Sequence, residues 1–136
     1  MSTQRNKGII IILGLSLSIL FFTGCATMPT QKELTNLDYG IPLTIDYKTV
    51  IKNYFEKVLF DPYSVHYRFG IPQRYWYREA PLFGGKLHSG YMVFVGVNAK
   101  NRMGGYTGMK EHGFLFKNNQ IIKILQPEEI SLMKSR

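Results

Sequence analysis

Three rhythms of apolar and polar residues divide this chain. Gly8 to Phe22 (GIIIILGLSLSILFF) is apolar without period and closes at Thr23-Gly24-Cys25. The run is shorter than the roughly 20 residues a spanning helix needs. With Arg5 and Lys7 before it and small residues after it, it has the layout of an export signal; an uncleaved anchor is the alternative. From Asp46 the rhythm becomes helical. Val50, Ile51, Tyr54, Phe55, Val58 and Leu59 share one face, and Lys48, Lys52, Asn53, Glu56 and Lys57 occupy the other. Asp46 is placed to cap the first turn, and Asp61-Pro62 to stop the last.

The third rhythm has the two-residue period of strands. Ser64 to Phe69 sets Val65, Tyr67 and Phe69 against His66 and Arg68. Residues 70 to 90 carry glycine, proline and aromatics without clean periodicity, which predicts a long loop with at most a short irregular strand at Tyr75 to Tyr77. Residues 90 to 99 (GYMVFVGVNA) are apolar on both sides, as a central strand should be. GYTGMKEHGFLF and QIIKIL flank Lys117-Asn118-Asn119 and predict an antiparallel hairpin. The order of Pro127, Glu128, Glu129 and then Lys134 suits a short C-terminal helix and its dipole. The architecture expected is α+β: one long amphipathic helix packed on an antiparallel sheet of three to five strands, without internal repeats. Residues 1–24 read as a signal peptide, 25–36 as a tether poor in large apolar residues, and 37–136 as a single domain.

Composition sharpens the first of these readings. Cys25 is the only cysteine, so no intramolecular disulfide can form and the fold must rest on its core. Phe22-Thr23-Gly24-Cys25 resembles the lipobox of bacterial lipoproteins, with Phe22 where that pattern usually has Leu. The resemblance implies diacylglyceryl transfer to the Cys25 thiol and cleavage just before it. It also implies attachment by acyl chains such as palmitate, with Ala26 permitting transfer to the outer membrane of a Gram-negative host, where the domain would face the periplasm. A fortuitous cysteine in a plain signal anchor is the alternative. The net charge is +8, and losing Arg5 and Lys7 would lower it by two. An exported basic domain meets anionic lipid heads, anionic glycolipid or peptidoglycan carboxylates more readily than nucleic acid, and ordinary solubilising charge from scattered lysines is the alternative.

Candidate chemistry in the remaining chain is sparse. Asn98, Asn101, Gly104 and Gly105 suit a wide connection needing positive φ, while Lys100, Arg102 and Lys110 would give it a basic tip. An anion nest is the competing reading, although the spacing is not that of a P-loop. His66, His88 and His112 are far apart and lack the close pairs of zinc motifs, so no metal or cofactor is expected. No serine sits in a nucleophile elbow and the carboxylates are dispersed, so catalysis is not expected either. Arg74, Tyr75, Trp76, Tyr77 and Arg78 interleave rings with guanidinium groups, which can stack on sugars or grip a protein. The same alternation would also arise if rings merely covered a core. The candidate binding surface is therefore Arg74–Arg78 together with Lys100, Asn101, Tyr106 and Lys110.

The motifs Asp38-Tyr39-Gly40, Asp61-Pro62 with Ser64, Tyr67 and Phe69, Val97 to Asn101, and Gly104 to Gly108 together resemble a group of small hypothetical bacterial envelope lipoproteins. Arg102-Met103 departs from the small or aromatic pair expected there. The resemblance implies an exported, lipid-anchored α+β domain and transfers no catalytic or ligand residues. The expected function is non-enzymatic: presentation of a small basic domain at the membrane to an envelope protein or the cell wall. The alternative is a small-ligand or glycan binder that uses the aromatic and basic surface.

Overall fold

The computed structural model describes residues 28–79 and 84–134. Cys25 and the whole signal segment lie outside the described residues. Five strands form one antiparallel sheet around a twelve-residue central strand, β3 (Leu87–Asn98). Strands β4 (Lys110–Lys117) and β5 (Gln120–Leu125) extend one side of it in turn. The other side of β3 carries two short strands end to end, β1 (His66–Phe69) along Val95–Asn98 and β2 (Gln73–Arg78) along Leu87–Met92.

These two strands are halves of one bent strand. Pro72 has no N–H to give the ladder, and the interruption at Gly70-Ile71-Pro72 inserts one extra residue opposite β3. Gly70 still donates to the Phe94 carbonyl at 2.8 Å. The extra residue exchanges the faces: Tyr67 and Phe69 look to one side of the sheet, Tyr75 and Tyr77 to the other. A second bulge, in β5, leaves Ile122 half exposed and lets Ile121 and Ile124 reach the same face.

Both faces are covered. Helix α2 (Tyr47–Val58) lays Ile51 and Phe55 on Val93, Val95, Val97, Phe114 and Phe116. Asp46 caps it, accepting from Lys48 and Thr49 N–H at 3.1 and 3.3 Å. Burying a Phe or Ile side chain contributes roughly 1.5–3 kcal/mol, so these two contacts hold the helix down. Helix α3 (Pro127–Lys134) covers the opposite face, where Ile130 joins Met92, Leu115 and Leu125. Its Glu129 accepts from the Gln126 N–H at 2.8 Å. Gly90 lets β3 and β4 approach: a Cβ there would stand 2.2 Å from the Phe116 carbonyl oxygen.

Several expectations are corrected. Among the described residues the α-helices are three and short, not one long amphipathic helix, and the longest has twelve residues. Val58, expected on the buried stripe, is 55% exposed because the helix ends there. Residues 73–78, expected mostly as loop, form a regular strand. Within the expected tether, α1 (Gln31–Thr35) is helical, closed by a capping box in which Thr30 and Glu33 bond each other reciprocally.

The segment from α1 to Thr44 straps the Leu87 end of the α2 face. Ser89 donates to the Asp38 carbonyl at 2.6 Å, and Lys117 pairs with the Asp38 carboxylate at 3.0 Å. The β4–β5 turn grips the strap from outside, as Asn118 and Asn119 accept from Ile41 and Thr44 N–H at 3.1 Å each.

Candidate functional site

Strand pairing decides what the Arg74–Arg78 cluster can present. Alternate residues face opposite sides, so it is two half-surfaces rather than one patch. Tyr75 and Tyr77 lie on the α3 face. Tyr75 meets Phe94 edge-on at 6.0 Å, and its hydroxyl points at the Met133 sulfur at 4.0 Å. Tyr77 stacks on His88 at 4.9 Å, and His88 Nε2 lies 2.8 Å from Glu79 Oε1. Burial pushes both phenols above their ordinary pKa, assisted at Tyr77 by Glu79 and Glu129, so they stay neutral.

Arg74, Trp76 and Arg78 face the strap instead. Arg74 lies over the Tyr39 ring at 5.5 Å. Arg78 binds Glu33 at 2.7 Å and the Gly85 carbonyl at 3.0 Å. Trp76, opposite Ser89, is half-buried. Four of these five residues are thus half-buried, and Arg74 alone is exposed.

The second candidate segment folds back on itself beyond Asn98. Asn101 builds the loop: its side chain accepts from Met103 and Gly105 N–H at 3.0 and 3.1 Å, and its backbone exchanges bonds with Gly104 and Gly105. Positive φ falls on Gly104 (81°) and Gly108 (87°), not on Asn98, Asn101 or Gly105 as expected. Tyr106 ties the loop to the neighbouring turn, donating to the Ser64 carbonyl at 3.0 Å. Its oxygen also lies 3.0 Å from His66 Nε2. With the hydroxyl hydrogen committed to Ser64, the imidazole Nε2–H is the donor in that contact. Lys100 Nζ stands 5.4 Å above the Tyr106 ring, while Lys110 opens β4 and is exposed.

The structure does not unite the two candidate segments. Arg74–Arg78 pairs with the start of β3 and Lys100–Lys110 follows its end, and a rise of about 3.3 Å per step from the first to the last of its twelve residues makes that strand roughly 36 Å long. The three imidazoles are likewise separate. His66 bonds Tyr106, His88 meets Glu79, and His112 packs against Phe55 at 5.0 Å. Among the described residues no group of three or more His, Cys, Asp or Glu converges as a metal site. Among them, too, no helix is long and apolar enough to cross a membrane.

Sequence reasoning missed the exposed neighbours of the loop. Phe60 and Tyr63 are 68% and 98% exposed, and Met103 is 96% exposed. Arg102 lies 5.9 Å over the Phe60 ring, which joins the two stretches. A signal existed: Phe60 and Tyr63 flank the Asp-Pro stop, where the helical stripe no longer buries anything. No protein-family model, curated protein or solved structure matches the chain.

Proposed function

We propose that this chain is a lipid-anchored cell-envelope protein without catalytic activity, which presents a small basic α+β domain to an envelope protein or the cell wall. The observation that carries the reading is Cys25, the only thiol, set directly after the apolar Gly8–Phe22 run in the order Phe-Thr-Gly-Cys. A thiol so placed stands at the membrane face, where lipid transfer requires it. Two or three acyl chains hold a protein stably where one gives marginal attachment, since each buried methylene contributes about 0.8 kcal/mol.

The fold supports the reading by being self-contained after the anchor. The fully buried members of both core clusters, and the strand pairings among the described residues, come from residues 51–130. The imidazoles, the groups best suited to proton transfer at neutral pH, are each engaged with structural neighbours. The experiment is metabolic labelling with palmitate in cells producing the wild type and Cys25→Ser. Label and membrane sedimentation are expected with the wild type and lost with the variant. Equal label in both would remove the anchor and the function built on it.

A further inference from the structure

Half of the exposed large apolar side chains in the described residues fall in two short stretches, residues 58–63 and 103–109. Single exposed apolar residues are ordinary; a cluster is not. Here the stretches are knit together by Arg102 over Phe60, and by the Tyr106 hydroxyl on the Ser64 carbonyl. The outcome is a crest at the Asn98 end of β3 formed by Phe60, Tyr63, Met103 and Tyr106. Tyr63 and Met103 are almost wholly in solvent, so the crest is convex.

Its charge is biased. Lys57, Lys100, Arg102 and Lys110 lie in or beside these stretches, against Glu56, Asp61 and Glu111. Lys100 and Arg102 sit on ring faces, and neither is in a salt bridge among the described residues. We propose that this crest is a second membrane contact, which inserts Phe60, Tyr63 and Met103 among the head groups of an anionic lipid surface while Lys100 and Arg102 meet the phosphates.

Two features favour lipid over a protein partner. Protein interfaces need packed complementary surfaces, which nearly bare, protruding side chains do not supply. A bilayer interface accepts single aromatic and apolar tips, and it rewards adjacent Lys and Arg. The crest also lies at the end of β3 opposite the one where α1 is held. Arg78 pins α1 near the Leu87 end, and Cys25 is only five residues before Thr30. Contact at both ends would lay the roughly 36 Å axis of β3 along the bilayer. The proposal rests on the lipid-anchored reading for its source of a nearby bilayer, and a tethered crest needs little affinity of its own.

The test leaves Cys25 out, so its failure is distinct from failure of the anchor. The chain from residue 26, which holds the complete core, is sedimented with vesicles of phosphatidylglycerol and phosphatidylethanolamine, and with phosphatidylcholine alone. Binding is expected to the anionic vesicles, weakened by high salt. Phe60→Ser with Met103→Ser should reduce it on the order of ten-fold, and Arg102→Gln less. Ile71→Ser, equally exposed but away from the crest, should leave it unchanged. Unchanged melting of every variant would establish that folding is intact. Indifference of the wild type to anionic vesicles, equal binding to phosphatidylcholine, or full binding by the double variant would each overturn the proposal. A crosslink to a protein in intact cells that the double variant loses, with no vesicle binding, would give the crest to a protein instead.

Discussion

His112 has an imidazole whose pKa folding lowers. Its ring meets the Phe55 ring edge-on at 5.0 Å, and its Nδ1 is buried without a partner among the described residues. Burial holds its pKa below the ordinary imidazole value, opposed by a bond to Gln126 and by Glu128, and assisted by Lys110. A base whose pKa falls on folding binds its proton more readily in the unfolded chain. Its contribution is therefore complete above the unfolded value of about 6.5 and is lost as pH falls through the folded one. The lowered carboxylates Asp38, Asp46 and Glu33 act in a more acidic range. Urea unfolding between about pH 7.5 and about pH 5.5 should show the wild type losing stability, and His112→Phe losing less. A wild type with equal stability at both values would reject this. Nothing in Glu111-His112-Gly113 announced the burial, which depends on Phe55 arriving from a helix more than fifty positions earlier.

Among the elements, the β4–β5 turn does more than reverse the chain. Asn118 and Asn119 have φ of 50° and 64°, as a two-residue hairpin demands. Asn119 also accepts from the Thr44 N–H at 3.1 Å and donates to the Thr44 hydroxyl at 2.8 Å. Asn119→Ala loses both bonds and forces a Cβ residue to keep positive φ without a side-chain amide. A cost of about 1–3 kcal/mol is expected, with Asn119→Gly less harmed because it keeps the backbone freedom. Urea midpoints would rank the three proteins, and equal midpoints would refute the ranking. In both variants the Thr44 amide should exchange its hydrogen faster.

This turn was legible from Asn-Asn between two apolar runs, and α2 from its stripe, cap and Asp-Pro stop. The face of β2 was not, because one inserted residue at 70–72 turns Tyr75 and Tyr77 away from the side that Tyr67 and Phe69 take. Bulges of this kind leave no mark in a period. The Thr30-x-x-Glu33 box, by contrast, was written in the sequence but hidden by the polar composition around it. The Arg74–Arg78 residues could be read as a candidate cluster, but their division between two faces required the register.

For the molecule as a whole, the decisive arrangement is that the strap and the crest occupy opposite ends of β3. Near α1 the strap adds little apolar burial: Leu34, Leu37 and Tyr39 are half-buried, its other fixings are mostly polar, and Leu43 packs on the α2-face core only at its far end. Glu33 is the fixing that holds α1. It accepts from Thr30 N–H at 2.8 Å and from Arg78 at 2.7 Å, and together these bonds hold its carboxyl down to about 2. The backbone bond from Thr30 is the larger cause and Arg78 the next. A carboxylate lowered by folding stabilises fully above its unfolded value of about 4.5 and loses that effect as pH falls through about 2, so the fixing is complete near neutrality. Regions held by few apolar contacts open without unfolding the core. Arg78→Gln, which leaves the residues around the Lys32 bond intact, should therefore speed tryptic cleavage after Lys32 at neutral pH while barely moving the melting temperature. The two readings separate the possible causes. Unchanged cleavage would mean that the half-buried leucines hold the strap, whereas a large fall in melting temperature would mean that α1 belongs to the cooperative core.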